Sequence, residues 1–449
     1  MSTRALVLLA FPLEAAYVAL RLRPEWMGQL VEYLALYWAA FLFYLVCCQG
    51  IGKKNSPRAP GGRWRLAWVW GAGLAFRLTL APLYPSLSDD LYRYRWHGQL
   101  QAAGGNPYGE RPADPRWAAL RDRAWPRVNR QELPSAYGPL LELSYRWTWA
   151  AVSRLESDEF RQVRLFKLPY LLLDLGTAGI LVMLLRRLGL PPESSLVYLW
   201  SPLVVVEFWA SGHNDSLALL FVVAAVWAGC SGRWGWAWGA LWMGALSKFW
   251  PAALFPLFWA SSGRGGWLRR AGLCLAWTPL AALIASPYWH GAAELPRMLA
   301  GFLGGWRNNA SLYNWIYAAA GEDYERGKPV VAVLAAAVVL LIAWKRPSLP
   351  EGVLWTLAAL LALSANCFPW YLTWLSPFLA VSPWAGLLLW QALAPLSYHV
   401  LFGYQIDGRW REDPFYLLLE YVPVYAMLAA EVVFGRARRR AALATAEDR

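Results

Sequence analysis

Charge is scarce in this sequence. Charged residues make up 16% of its 449 residues, whereas soluble globular domains carry about 25%. Hydrophobic residues account for 58%, and many apolar stretches approach the length of about 20 residues that a helix needs to cross a bilayer. The composition therefore excludes an ordinary soluble domain and predicts an integral membrane protein. Its spans should be helical, because lipid offers no partners for backbone hydrogen bonds.

Cysteine is also rare. Its five copies lie within or beside apolar segments without the spacing of metal ligands, so we expect neither a disulfide framework nor a zinc site. A glycine-rich loop of the kind that holds nucleotide phosphates is missing. The formal net charge of +13 would suggest nucleic acid in a soluble protein. Here the basic residues stand in short loops beside apolar runs, which positive-inside topology explains, so nucleic acid is not an expected partner.

The apolar stretches predict one all-α polytopic membrane domain over residues 1–449, with about 11 to 13 transmembrane helices. The basic connector at 53–65 should lie in the cytoplasm and send the next helix outward. Residues 84–136 then form a large first extracytoplasmic loop, whose aromatic and charged residues predict short amphipathic helices. A second extracytoplasmic region is expected at 288–329.

The middle of the chain does not fit a simple alternation of spans. The basic residues at 186–187 and at 233 cannot both face the cytoplasm if each apolar segment crosses once. We therefore expect a broken or re-entrant piece in at least one of the segments 137–153, 195–209 and 235–260. A break at Lys248 and Pro251 is expected, because proline removes a helix hydrogen bond and lysine requires water or a partner.

Two adjacent carboxylates, Asp89 and Asp90, open the external loop. One of them could act as general base on an acceptor hydroxyl while its neighbour or a bound cation tunes it. The alternative is a solvated turn or a helix N-cap, for which Ser88 and the two aspartates are also suited. Cations and aromatic rings follow directly, as a sugar phosphate requires: Tyr92, Arg93, Arg95 and Trp96.

Further polar residues interrupt apolar surroundings. His213 and Asp215 could ligate a cation or orient a sugar, or could belong to a tight turn between helices. Lys248 could bind a lipid phosphate or extend to the interface. Arg307 and Asn309 could hold a phosphate and a sugar hydroxyl, or could simply be solvated in a loop. An aromatic pair near a helix end, Trp370 and Tyr371, is also what an interfacial belt provides.

These motifs and their order resemble the polytopic glycosyltransferases of the GT-C fold. The likeness is greatest to the bacterial and archaeal mannosyltransferase-like branch that uses polyprenyl-phosphate sugars, and it spans roughly residues 64–380. The stretches that carry it are Asp89 to Gly98, Gly104 to Tyr108, Tyr137 to Leu140, Ser201 to Asp215, Ser247 to Pro251, Trp306 to Asn309, and Pro369 to Leu372.

The resemblance implies a catalytic aspartate in the first external loop. This role falls on Asp90 or Asp89, and Asp90 is favoured by its spacing to Tyr92. It also implies a second acidic or histidine-containing motif, at His213 and Asp215. Substrate-binding residues are expected at Asn106, Tyr108 and Tyr137 as well. The sequence departs from the pattern at His97, where relatives commonly carry aspartate, and at Gly138, where they commonly carry proline.

We therefore expect an inverting transfer of one hexose, with mannose favoured, from a polyprenyl phosphate to a lipid, glycan or protein acceptor. The site would face outside from a cell membrane of the bacterial inner-membrane type. No cofactor is obligatory for this reaction, but a divalent cation on Asp89, His213 and Asp215 stays open. The alternatives are a lipid or solute transporter, including a flippase, and a lipid-carrier-dependent transferase of a group other than sugar. Transporters commonly show paired repeats, which the sequence lacks.

Overall fold

The computed structural model describes residues 2–49, 62–262, 266–291, 293–297 and 307–447. Within these ranges the secondary structure is helical, and the β-type pairing is confined to one isolated bridge between Asn308 and Asn366. This confirms the predicted all-α class. Most of the basic connector at 53–65 lies outside the described residues, as does Trp306 of the Trp306–Asn309 motif.

The helices follow the apolar stretches of the sequence. In chain order they are α1 Thr3–Arg21, α2 Leu30–Gln49, α3 Gly62–Leu80, α4 Asp90–Ala102, α5 Pro139–Leu155, α6 Glu159–Leu165, α7 Leu168–Arg187, α8 Leu196–Leu199, α9 Pro202–Val204, α10 Asp215–Cys230, α11 Trp234–Ser247, α12 Phe255–Ser261, α13 Trp267–Leu275, α14 Thr278–Ala285, α15 Leu312–Ala319, α16 Tyr324–Lys345, α17 Leu349–Leu363, α18 Ser376–Leu379, α19 Ala385–Leu393, α20 Val400–Asp407 and α21 Pro414–Glu447.

Seven helical stretches in the described part of the chain are long and apolar enough to cross a membrane: Thr3–Arg21, Leu30–Gln49, Glu159–Arg187, Trp267–Gly291, Tyr324–Lys345, Ala385–Asp407 and Pro414–Gly435. Two shorter apolar helices, α10 and α17, accompany them. These helices confirm a multi-pass membrane protein. The total of about 11 to 13 spans stays a prediction.

Two apolar segments are broken, as the distribution of basic residues required. Between α7 and α10 the chain forms the short helices α8 and α9 and then a π-helical turn, Val205–Ala210. After α11, Lys248 is extended, with φ −136° and ψ 151°, and a 3-10 helix, Trp250–Leu254, leads into α12. The predicted break at Lys248 is confirmed.

Helix α5 lies along α4, and both of its ends are on the same side of the molecule. It begins after Gly138, whose backbone N–H donates to the Ser247 carbonyl (3.0 Å). Just beyond its end, the Glu156 carbonyl accepts from Gln162 (2.7 Å), which also contacts Arg95 on α4 (3.0 Å). The apolar stretch at 137–153 is therefore a helix that does not run from one side of the molecule to the other. Its Leu141, Tyr145 and Val152 are buried, whereas Trp147 is 62% exposed.

The ends of four helices meet on this same side. Asp89 and Asp90 follow α3, Asp215 begins α10, Lys248 follows α11, and the 366–371 segment follows α17. The opposite ends carry the basic residues Arg186 and Arg187 of α7, Arg233 before α11, and Lys345 and Arg346 after α16. The broken segment at 192–211 returns the chain between α7 and α10. The basic residues at 186–187 and at 233 thus lie at the same end of the helices.

Buried charged groups fix α3, α7 and the π-helical turn to one another. Arg77 on α3 pairs with Asp174 on α7 at 2.7 Å, and that carboxylate also accepts from Trp209 Nε1 at 2.8 Å. The Lys167 ammonium, at the start of α7, donates to the carbonyls of residues 81, 83, 209 and 210. A buried charge held in this way specifies one arrangement, because a lost partner would leave it unpaired.

Candidate active site

Asp90 is the first residue of α4, and its carboxylate is held by the loop over residues 84–136, which is called the external loop below after its predicted side. Asn129 Nδ2 donates to Asp90 Oδ1 (2.7 Å), and the Asp90 side chain remains 22% exposed. Asp89 occupies the N-cap position, but its side chain makes no capping hydrogen bond. The hydroxyl of Ser88 accepts from the backbone N–H of Asp90 (3.3 Å) instead. Neither aspartate side chain therefore caps α4.

The surroundings of both aspartates raise the pKa of the carboxyl groups. Burial raises the pKa of Asp89 to about 6; the neighbouring Asp90 charge raises it further and Arg127 opposes the shift. Burial also raises the pKa of Asp90, against the hydrogen bond from Asn129 and the positive charges of Lys248 and Arg93. A carboxylate with a raised pKa accepts a proton more readily, which suits a general base.

His213 reaches Asp90 from the turn that follows the π-helical segment. Its Nδ1 lies 3.7 Å from Asp90 Oδ2. The imidazole stacks on Trp370, with ring centroids 4.0 Å apart and an interplanar angle of 18°. His213 and Trp370, which are more than a hundred positions apart in the sequence, therefore both lie on one side of Asp90.

Lys248 and Asp215 form the next part of the site. Lys248 Nζ lies 2.7 Å from Asp215 Oδ2, and Trp374 Nε1 donates to Asp215 Oδ1 (2.7 Å). The ammonium lies 5.9 Å from the centroid of the Tyr371 ring. The side chain of Lys248 is 13% exposed, so a cation stands at the edge of the site with one carboxylate partner.

Several tyrosines pack together beside Asp90. Tyr94 on α4 approaches Asp90 Oδ2 with its hydroxyl (3.4 Å) and stacks on Tyr145 at 5.0 Å. Tyr137 packs edge-on against Tyr94 at 5.4 Å. Tyr108 donates to the Tyr137 carbonyl (2.7 Å), which fixes the re-entry of the loop.

The two arginines that follow the aspartates bind protein groups. Arg93 is buried and donates to the carbonyls of Asn129, Arg130, Leu133 and Pro134. Arg95 pairs with Asp122 at 2.6 Å and lies over the Trp149 ring. Trp96 is buried in the same cluster, and the Tyr92 hydroxyl accepts from Arg127 (3.2 Å). These side chains hold the external loop against α4.

His97 is paired with a carboxylate from another helix. Its Nδ1 lies 2.9 Å from Glu142 Oε1 on α5, and Gln101 donates to the same carboxylate (3.0 Å). Burial lowers the pKa of His97, although Glu142 opposes the shift. Relatives commonly carry an aspartate at position 97 itself. Here Glu142 of α5 places a carboxylate beside that position instead.

Gly138 is required by a close approach. A Cβ atom on this residue would lie 2.2 Å from the Leu246 carbonyl oxygen. The absence of a side chain lets the loop re-enter directly beside Ser247 and hence beside Lys248. The glycine at this position therefore sets how closely the loop approaches the end of α11.

Three predicted binding residues have other neighbours. Asn106 Nδ2 donates to the Tyr288 carbonyl (3.4 Å), so this part of the first loop contacts the second loop region. Asn309 Nδ2 donates to the Cys367 carbonyl and to Glu420, each at 3.1 Å. Arg307 lies over the Tyr317 ring, and its Nε is 4.0 Å from a Glu412 carboxylate oxygen. Arg307 and Asn309 belong to a second polar cluster, which Cys367 joins along the chain to Trp370.

The residues named for a cation are not assembled as ligands. Among the residues that the structure describes, no three histidine, cysteine, aspartate or glutamate side chains are grouped so that they could hold a metal ion. Asp215 is paired with Lys248. The open set of Asp89, His213 and Asp215 thus has no preformed geometry.

Sequence reasoning missed Glu207, Asn129 and Glu142. Glu207 is fully buried in the π-helical turn, with its Oε2 3.4 Å from His213 Nε2. A lone acid in an apolar run is a functional signal by default and could have been found. Asn129 and Glu142 carry no such signal, because only the folded loop brings them to Asp90 and His97.

A comparison with protein families matches residues 12–261 to the N-terminal domain of alpha-(1->6)-mannopyranosyltransferases. No curated protein sequence matches the chain. The family match covers more than half of the sequence and includes the aspartate pair, His213, Asp215 and Lys248. It confirms the resemblance stated from the motifs. The chain therefore belongs to the alpha-(1->6)-mannopyranosyltransferase family and is a multi-pass membrane glycosyltransferase that transfers mannose.

Proposed function

We propose that the protein transfers one mannosyl group from a polyprenyl monophosphate to an acceptor hydroxyl, with Asp90 as the general base. The observation that carries the proposal is the convergence of Asp90, His213 and Lys248 from three distant segments. Such a reaction needs a base on the acceptor and a cation on the leaving phosphate. Asp90 and Lys248 would supply one of each, and the proposal is supported by the effect of the Lys248 charge on the Asp90 carboxyl, whose pKa it lowers.

Lys248 is the cation that would meet the leaving phosphate. It is paired with a single carboxylate, Asp215, and stays partly exposed. Arg93 and Arg95 already bind carbonyls and side chains of the loop. We assign them to holding the loop rather than to the donor. Asn309 contacts the carbonyl of Cys367, three residues before Trp370. Together with Arg307 it would contact the more distant part of the sugar or acceptor.

The family description also suggests the stereochemistry. Back-side attack on the anomeric carbon inverts it, so an alpha product would come from a beta-linked mannosyl phosphate. A (1->6) linkage would be made by a primary hydroxyl of a hexose at the acceptor. The phosphate leaves as an anion with less charge than a nucleotide diphosphate, so neither a protein acid nor a metal ion is required. A divalent cation would then be an accessory.

We further propose that the site faces outward from a cell membrane, as in a bacterial inner membrane. This is supported by the basic residues at the ends of the helices opposite to the site, since such residues favour the cytoplasm. The donor and acceptor would then be lipid-linked or envelope molecules.

The test uses the purified full-length protein in lipid nanodiscs, supplied with radiolabelled beta-mannosyl polyprenyl phosphate and octyl alpha-D-mannopyranoside as the acceptor probe. We expect Asp90→Asn to lower kcat by at least about 100-fold, as for loss of a general base. Asp89→Asn should be affected less. Glu132→Gln, an exposed acid of the same loop (63% exposed side chain), is the matched control.

The outcomes separate the parts of this proposal. Full transfer by Asp90→Asn and Asp89→Asn would contradict the assignment of the base. Failure of the parent protein to consume the donor would contradict the donor class. A product with a beta linkage would contradict inversion. Unchanged transfer in the presence of EDTA is expected, and complete loss would make a divalent cation obligatory.

A further inference from the structure

Glu207 is a buried acid with no part in the reaction as described so far. It lies in the π-helical turn Val205–Ala210 and is fully buried. Such turns are rare and occur frequently at functional sites. An ionisable residue within an apolar segment is costly, which makes it a functional candidate by default.

The carboxylate of Glu207 stands behind His213. One oxygen, Oε1, accepts from the Tyr398 hydroxyl (2.9 Å). The other, Oε2, lies 3.4 Å from His213 Nε2, while Nδ1 on the far side of the ring lies 3.7 Å from Asp90. The imidazole thus stands between two carboxylates, and stacking on Trp370 fixes the plane of the ring.

Besides Tyr398, the Ser211 hydroxyl also interacts with the Glu207 carboxylate. Glu207 Oε2 and both ring nitrogens of His213 are buried and make no hydrogen bond within the described part of the chain. The nearby charges, Lys248 and Asp215, pair with each other. Since hydrogen bonds at catalytic sites are often long without substrate and tighten when it binds, these two short gaps are suited to a proton path.

We propose that Glu207 is a positioning residue that orients His213 to take the proton from Asp90. The inference rests on the proposed function, in which Asp90 is the base. Glu207 Oε2 would accept from the Nε2–H of His213, which leaves the Nδ1 lone pair facing Asp90. The carboxylate also stabilises the positive imidazole that forms when the proton arrives, as the acid of a serine hydrolase triad does.

The proton and electron balance is complete without another reactant. The acceptor oxygen forms its bond to the anomeric carbon while its O–H bond breaks and the proton passes to an Asp90 oxygen. The carbon–oxygen bond to the phosphate breaks, and its electron pair leaves with the polyprenyl phosphate. The proton then moves from Asp90 to His213 Nδ1, which restores the aspartate as an anion before release of the proton to water.

The test compares Glu207→Gln with the parent protein in the mannosyl transfer assay. The amide preserves the volume and can still accept from Tyr398, so the thermal midpoint should stay near that of the parent. We expect kcat to fall at least about ten-fold with little change in KM, because an orienting carboxylate of this kind contributes up to about 10⁴ elsewhere. The solvent deuterium isotope effect on kcat should increase, because proton transfer becomes slower than the other steps.

Three further variants keep the test decisive. The double variant Glu207→Gln with His213→Gln should lose no more activity than His213→Gln alone, because residues that act as one unit are not additive. Glu14→Gln changes a partly buried acid of α1 that interacts with Thr79 and is expected to behave like the parent.

A parental kcat and isotope effect in a folded Glu207→Gln protein would overturn the inference. Additive losses in the double variant would do the same. If Glu207→Gln does not fold, Tyr398→Phe removes the supporting hydroxyl and should cause a smaller loss with the same rise in isotope effect; a parental result there would also contradict the role. Activity in Asp90→Asn would instead contradict the proposed function itself.

Discussion

Asn129 controls how readily Asp90 binds a proton. Its amide donates to the charged form of the carboxylate at 2.7 Å and so lowers a pKa that burial has raised. In Asn129→Ala this donor is lost, and the pKa of Asp90 rises further. A base must be deprotonated to act, so we expect the acidic limb of the rate profile to move to higher pH and activity to recover as the pH rises.

The measurement is kcat/KM for mannosyl transfer as a function of pH, since it reports groups of the free enzyme. Gln131→Ala provides the control, because this amide belongs to the same loop but donates to the Trp125 carbonyl. An acidic limb that stays in place, or that moves to lower pH, would argue against Asp90 as the titrating base.

The residues of the site were only partly predictable. Asp90, His213 and Lys248 interrupt apolar sequence, and such interruptions are visible without a structure. Their mutual distances are not visible, and neither is Asn129, an ordinary loop residue until the fold brings it to Asp90. The use of Arg93 was equally hidden, because a guanidinium next to an aspartate looks the same whether it binds carbonyls or a phosphate.

At the scale of elements, the contact between the loop re-entry and α11 sets the position of Lys248. Gly138→Ala would place a Cβ atom 2.2 Å from the Leu246 carbonyl oxygen, so the loop and the end of α11 must separate. Since displacement of about 1 Å costs on the order of 100-fold in rate, we expect a loss of that size in mannosyl transfer while the protein still inserts and folds.

Gly179→Ala is the matched control, because a Cβ atom on this α7 glycine would have no neighbour within 4 Å. Its activity should equal that of the parent, and its stability should be unchanged or slightly higher. Parental activity in Gly138→Ala would show that the two segments can move apart without harm to the site.

The hydropathy pattern predicts some breaks in the helices but does not separate buried helices from membrane spans. The breaks at Lys248 and in the 195–209 segment were predictable, since proline and charge interrupt the apolar pattern there. The sequence left helix α5 open as one of three candidate segments for a broken or re-entrant piece. Its Leu141 and Tyr145 are buried in protein, and burial in protein requires the same residue types as burial in lipid. Length and composition alone cannot separate the two cases.

At the scale of the whole molecule, the site and the basic helix ends lie on opposite sides, which leads to a prediction of orientation. We expect Arg116→Cys, in the external loop and with a 66% exposed parent side chain, to react with a membrane-impermeant maleimide in intact cells. Arg187→Cys, at the basic end of α7, should react only after lysis. Both are made after replacement of the five native cysteines by alanine.

The reverse pattern of labelling would place the site in the cytoplasm and contradict the outward orientation. Labelling of both positions in intact cells would indicate leaky cells, so a cytoplasmic marker protein with one cysteine is followed in parallel. The test depends on position alone and does not require the acceptor to be known.

The hydrogen bonds of Lys167 affect how the site tolerates amino-acid substitutions nearby. Its four acceptors are backbone carbonyls of residues 81, 83, 209 and 210, so the spacing between the Asp90 and His213 segments is set by main-chain atoms. Side chains at those four positions can differ without altering the acceptors. The Lys167 ammonium can therefore keep the Asp90 and His213 segments at the same spacing whichever side chains stand at these four positions.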